Sequence, residues 1–226
     1  MSRPEAIAED HLEITNGLID KIFLSKAGSE VELPSFDLLR LALSGYDLLK
    51  QEKFINRPEV ITIIDFSLPS TSKRLWVIDL YQAKVLFHSL VSHGRNSGEL
   101  MAEKFSNAPG SFTSSPGFYS TGETYFGRHG LSLRLNGLEK GINDKARERA
   151  IVIHGADYVT PDFISKHGRL GRSHGCPAVP AQLSKEIIET IKDGSCLFIY
   201  APKESYTSNS PIINKIKEIK KDNLNL

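Results

Sequence analysis

The sequence predicts a mainly β domain, a curved sheet or a sandwich with a few helices, preceded by a helical N-terminal segment. Two observations carry this. From residue 60 onward, short runs rich in β-branched and aromatic residues recur between clusters of Gly, Pro and Ser, which is the pattern of strands. Before residue 51 the apolar residues recur instead at helical spacing. A length of 226 residues, with 40% hydrophobic and 24% charged, is ordinary for a globular chain.

In the helical segment, 1–54, Ile7, Ile14, Leu18, Ile19, Ile22 and Phe23 mark a first amphipathic stretch, with a break expected at Asn16-Gly17 and a stop at Gly28. A second helix starts near Pro34-Ser35 and carries Phe36, Leu39, Ala42, Leu43, Tyr46 and Leu49 on one side. Such a stripe favours packing on the sheet over a free spacer. The main body spans 55–201. Val60–Phe66, Leu75–Leu80 and Lys84–Val91 read as a three-stranded meander joined by Leu68–Ser72 and Tyr81–Ala83. Residues 93–180 then concentrate glycine and histidine. Here Gly117–Thr121, Leu131–Leu135 and Ala150–Ile153 are the expected strands, alternating with loops expected to be too long for simple hairpins and suited to function. A helix over Pro180–Lys192, ended at Gly194, leads into the apolar strand Cys196–Tyr200. Beyond Pro202 a polar tail, 202–226, holds Ile212–Lys221 as a loosely attached helix or a frayed end.

Charge and cysteine usage exclude several functions. Lys plus Arg is 28 and Asp plus Glu is 27, so no nucleic-acid partner is expected from the net charge of +1. Two cysteines are too few for a disulfide scaffold or a four-thiolate zinc site. No apolar run reaches the roughly 20 residues of a membrane span. The opening MSRPEAIAED has no basic-then-apolar leader, which leaves either a cytoplasmic chain or a mature form with a new start methionine.

Five of the seven histidines precede glycine: His93, His129, His154, His167 and His174. Glycine lets the backbone turn sharply or approach a ligand, so each imidazole can stand at the rim of a pocket. One stretch goes further. The apolar Ile151-Val152-Ile153 leads into His154-Gly155, placing His154 where the sheet hands over to a loop. Eighteen residues, Gly155 to Arg172, then separate His154 from Ser173-His174-Gly175-Cys176-Pro177. A cysteine nucleophile needs a base to become thiolate, and the base needs an orienting partner. A turn through Gly175 could also aim the amides of Gly175 and Cys176 at a developing oxyanion.

This His-spacer-Ser-His-Gly-Cys pattern resembles the L,D-transpeptidase catalytic domain of bacterial cell-wall enzymes, the YkuD-type fold. Ser115-Pro116-Gly117-Phe118-Tyr119 is similar to the strand that precedes the motif in that family. Val91–Gly98 and Gly168–Arg172 extend the likeness to a murein L,D-transpeptidase subfamily over about Val60 to Tyr200. The resemblance implies that Cys176 attacks the carbonyl of an acyl donor. It implies that His154 takes the thiol proton, that the carbonyl of Gly155 or a nearby acceptor orients the imidazole, and that the amides of Gly175 and Cys176 hold the oxyanion. His174 is then expected to shape the pocket, with Ser173 and Tyr119, for peptidoglycan stem peptides. It implies a bacterial periplasmic or envelope location and no cofactor.

The continuation Cys176-Pro177-Ala178-Val179-Pro180 departs from the family's usual Gly-Cys-apolar-Arg or Gly-Cys-apolar-Asn, so the usual polar contact is missing. Arg169 and Arg172 are candidate replacements, since a guanidinium grips a carboxylate in bidentate fashion. Cys196, in an apolar strand, reads as a small core hydrophobe, and two free thiols are expected. Three alternatives stay open: hydrolysis of the same thioester, a non-catalytic cell-wall peptide-binding domain, and a zinc cage of His93, His129, His154, His174 and Cys176. The last lacks the compact spacing of known metal motifs, so no metal is expected.

Overall fold

The computed structural model describes residues 16–25 and 31–224. Ile7, Ile14 and the expected stop at Gly28 lie outside the described residues. Asn16 and Gly17 are helical, contrary to the expected break, within a helix over 16–25 (α1) that buries Ile19 and Ile22 and leaves Phe23 partly exposed. Helix α2, Phe36–Gln51, starts as the sequence indicates: the Ser35 hydroxyl accepts the Leu38 N–H at 3.3 Å. Asp37 and Lys50 then complement the helix dipole at its two ends. Inside α2, Gly45 costs helix propensity of about 1 kcal/mol relative to alanine. Its missing side chain is where Phe118 packs, since a Cβ would stand 2.1 Å from the ring.

The strands are β1 (Arg57–Asp65), β2 (Leu75–Asp79), β3 (Lys84–Ser89), β4 (Gly117–Gly127), β5 (Gly130–Gly137), β6 (Val152–Ala156), β7 (Ala178–Pro180) and β8 (Ser195–Tyr200). The remaining helices are α3 (Pro161–His167), α4 (Ala181–Ile191), α5 (Glu204–Thr207) and α6 (Pro211–Leu224). Among the described residues all eight strands form one sheet in the order β3-β2-β1-β8-β4-β5-β6-β7. The first three are the expected antiparallel meander. Past β3, Ser92 forms an isolated bridge with Ala178 of β7, drawing the two margins of the curved sheet together.

β4 and β5 differ from expectation. They are long strands joined by the two-residue turn Arg128-His129, with Gly127 facing Gly130. The ladder shifts register between Thr121 and Thr124, and that irregularity at Gly122 hides the second half of β4 from pattern reading.

Side chains alternate across the sheet with period two. Ile61, Ile63, Cys196 and Phe198 join Leu39, Leu43 and Ile22 of the helices in one core. Val60, Ile64, Leu197 and Ile199 face the other way, against Tyr119, Leu133, Ile153 and Ile187 of α4. At about 1.5–3 kcal/mol per fully buried large aliphatic side chain, both faces contribute to stability. α6 lies against α2, with Ile213 and Ile216 buried. The buried Glu139 ties this end to β4, accepting the Phe118 N–H at 2.7 Å and hydroxyls from Tyr206 and Ser210.

Candidate active site

His154 lies in the middle of β6, not at a strand end. β7 returns parallel to β6 and pairs Ala178 with His154, so the ladder continues to Ala156. Cys176 thus enters β7 two residues before the partner of His154, bringing the far ends of the eighteen-residue spacer to adjacent strands. Residues 92–95 lie along the other side of this segment. Ser92 N–H donates to Ala178 O at 2.8 Å, Ser173 N–H to His93 O at 3.0 Å and Arg95 N–H to Ser173 O at 2.8 Å.

The turn before Cys176 requires glycine. Gly175 has φ of 120°, and a Cβ there would meet the carbonyl oxygen of Thr113 at 2.6 Å. Ser173 ties the turn internally, its hydroxyl donating to Cys176 O at 2.6 Å and accepting the Gly175 N–H at 3.0 Å. The Gly175 amide expected at an oxyanion is therefore already committed to Ser173. The Cys176 amide lies against its own sulfur.

Cys176 is half-buried and Cys196 fully buried, and both thiols are free. The Cys176 S–H faces Ala150 O at 3.7 Å. Burial pushes this thiol above its ordinary value, while the Val152 N–H, the charge of Arg149 and its own amide pull the other way. Cys196 is pushed up too, by burial alone.

The His154 ring is almost fully enclosed, with Nδ1 2.9 Å from Gly155 O. Donation from Nδ1–H to that carbonyl leaves Nε2 with the lone pair. Burial lowers the His154 pKa, the Gly155 contact opposes this, and the charges of His129 and Arg128 add to the lowering. His129, at the β4–β5 turn, stacks on His154 with ring centroids 4.4 Å apart. Gly155 is itself closely packed, since a Cβ would stand 2.6 Å from the Ser184 hydroxyl of α4.

One cavity of about 560 Å³ opens onto both side chains. Cys176, His154, Ser173, His174 and Arg172 line it, together with His129, named in the sequence only as a His-Gly pair and a member of the alternative zinc cage, and with Arg149, Tyr125, Tyr158 and Phe112, which sequence reasoning did not select. The signal available for His129 was its own His-Gly pair, but nothing in the sequence placed it over His154. Burial pushes Tyr158 up to about 12, so it stays a neutral hydroxyl. His174 is exposed and packs on Phe112 at 4.6 Å.

Two expected substrate contacts are elsewhere. Tyr119 alternates inward along β4, fully buried, with its hydroxyl donating to Ser115 O at 2.9 Å, so it faces the core and no ligand. Arg169 does not line the cavity; its Nε lies 2.7 Å from Glu99, whose other oxygen is 2.6 Å from Arg172. One exposed carboxylate thus already holds both guanidinium groups proposed to grip a stem peptide. Two of the five His-Gly histidines lie apart from the cavity: His93 is buried against Arg74 at 2.8 Å and His167 packs on Phe163. Among the described residues no three His, Cys, Asp or Glu side chains group to hold a metal ion.

The family model of the L,D-transpeptidase catalytic domain matches residues 31–200. No curated protein matches the sequence. Similar solved structures include an L,D-transpeptidase from Mycobacterium smegmatis, 14% identical, covering 63% of this chain and 59% of that one, with a TM-score of 0.39. L,D-transpeptidase 3 from Mycobacterium tuberculosis is 12% identical, with 63% and 61% covered and a TM-score of 0.42. The helical cell shape determining protein Pgp2 from Campylobacter jejuni is 13% identical, with 83% and 62% covered and a TM-score of 0.43. The matched region spans about three-fifths of the length of these structures.

Proposed function

The chain belongs to the L,D-transpeptidase catalytic domain family, and from that premise we propose that it is a cysteine-dependent acyl transferase acting on peptidoglycan stem peptides in the bacterial envelope or periplasm. The observation that carries this reading is one cavity lined by both Cys176 and His154, with His154 held by Gly155 O in the tautomer a base needs.

In this reading His154 Nε2 takes the Cys176 proton and Sγ attacks the carbonyl before the terminal D-residue of a tetrapeptide stem. As the S–C bond forms, the oxyanion takes the Cys176 N–H. The C–N bond then breaks, and His154 returns the proton to the leaving amine. The amine of a second stem attacks the thioester, its C–S bond breaks, and the proton lost by that amine returns through His154 to the sulfur. Water in place of the second amine yields hydrolysis, and exclusion of water from the cavity separates the two outcomes.

The test is intact-mass analysis after incubation with a carbapenem and with a tetrapeptide. Wild type and Cys196→Ala should gain the mass of the drug, and Cys176→Ala should not. His154→Ala should keep its fold and acylate far more slowly. Persistence of the adduct in Cys176→Ala would overturn the reading. With tetrapeptide, a crosslinked product reports transfer and a tripeptide reports hydrolysis.

A further inference from the structure

Arg149 lines the cavity beside Cys176, half-buried and lacking a carboxylate partner among the described residues. Its terminal nitrogens instead clamp the 106–115 loop. Nη1 donates to Ser106 O at 2.8 Å and to the Ser115 hydroxyl at 2.5 Å, and Nη2 to the Ser111 hydroxyl at 3.1 Å and Thr113 O at 2.6 Å. These contacts bracket Phe112, a non-glycine residue at φ of 55°, and Arg149 itself precedes Ala150 at φ of 53°. Two left-handed non-glycine residues on the wall of one cavity are strain that the surroundings must hold in place. The same guanidinium borders the nucleophile turn: a Cβ on Gly175 would stand 3.4 Å from Nη2 and 2.6 Å from the Thr113 carbonyl that Nη2 binds.

We propose that Arg149 is a positioning residue of this site, fixing the 106–115 loop over the nucleophile turn and supplying the uncompensated positive charge that favours the thiolate of Cys176. The inference rests on Cys176 being the nucleophile. With all four terminal N–H groups spent on the loop, Arg149 acts on the sulfur by its field and not by binding substrate. Because its partners are neutral, that charge is not cancelled locally. Burial works against a thiolate here, and the charge of Arg149 works for it. The other titratable or charged groups lining the same space are His154 on β6, His129 and Arg128 on the hairpin turn, Tyr125 on β4, Tyr158 after β6, and Arg172 and His174 on the loop bearing Cys176.

The experiment is the pH dependence of iodoacetamide alkylation of Cys176 in a Cys196→Ala background, followed by intact mass, for Arg149, Arg149→Gln and Arg149→Lys, with circular dichroism to confirm folding. The proposal expects Arg149→Gln to raise the alkylation midpoint by about one pH unit or more, the size of shift an opposite charge nearby produces. Arg149→Lys, which keeps the charge but not the four-point clamp, should recover at least half of that rise. An unchanged midpoint in Arg149→Gln overturns the proposal, as does a midpoint in Arg149→Lys as high as in Arg149→Gln, which would assign the effect to loop geometry. Should Arg149→Gln fail to fold, Arg149→Lys decides alone: a midpoint within about half a unit of wild type supports the charge, and a rise of a full unit refutes it. Failure of the enzyme reading is distinct, since it shows as no carbapenem adduct on the wild-type chain.

Discussion

Replacing Gly175 by alanine is the sharpest test of how the site is built. At φ of 120° an L-residue sits outside its allowed wells, a strain on the order of 1–3 kcal/mol. The new methyl would also stand 2.6 Å from Thr113 O and 3.1 Å from Ile151 Cδ1, an overpacking of about 1–3 kcal/mol. The two penalties act on one turn and relax together, so their sum of roughly 2–6 kcal/mol is not strictly additive, and about 3 kcal/mol is the working figure. For a domain of this size each kcal/mol lowers Tm by about 2–4 °C, giving a fall of roughly 6–12 °C in a thermal melt. Any strain relieved by shifting the turn moves the sulfur, which is read as slower carbapenem acylation, since small misplacements of a reacting atom are costly. A variant with Tm within about 2 °C of wild type and an unchanged acylation rate would refute the assigned geometry.

Other perturbations follow from neighbouring contacts. Ser173→Ala leaves the buried Gly175 N–H without its acceptor, a cost of about 1–3 kcal/mol, and should lower both Tm and the acylation rate. Burial holds the Glu139 carboxyl above its ordinary value, so folding favours its neutral form relative to the unfolded chain. Stability from that group is complete below the usual carboxylate value of about 4.3 and is lost as pH rises through the raised native value. The Tm of Glu139→Gln relative to wild type should therefore climb as pH rises above that usual value, and a flat difference would contradict this. For His154, the lowered pKa should set the acid limb of acylation below the ordinary imidazole value of about 6.5. His129→Ala removes both a covering ring and a nearby charge, and should move that limb upward in a pH–rate profile.

Much of this arrangement is legible in the residues themselves. Ser35 before an amphipathic run specifies α2, β-branched runs specify the meander, and a His-Gly and a Ser-His-Gly-Cys at fixed separation mark the cavity. What escaped depends on contacts distant in sequence. His154 reads as a strand end until Ala178 supplies its parallel partner. The β4–β5 hairpin is masked by the bulge at Gly122, and with it the stacking of His129 on His154. Tyr119 looks available in a Pro-Gly-aromatic strand, yet its position in the alternation sends it into the core. Arg169 and Arg172 look free for a ligand, yet Glu99, distant in the chain, pairs with both. Arg149 carries no motif at all, and only the loop folded around it gives it a role.

The backbone of residues 92–95 has a bearing on how a peptide can be read. Peptide-binding proteases and scaffolds often capture an extended chain by letting it add to an open margin of a sheet. Beside Cys176 that margin is taken, because Ser92, His93 and Arg95 already satisfy Ala178 and Ser173. A guest at Cys176 cannot add to that margin as a further strand, which leaves the loop side chains and the hairpin tip around the cavity as its points of contact.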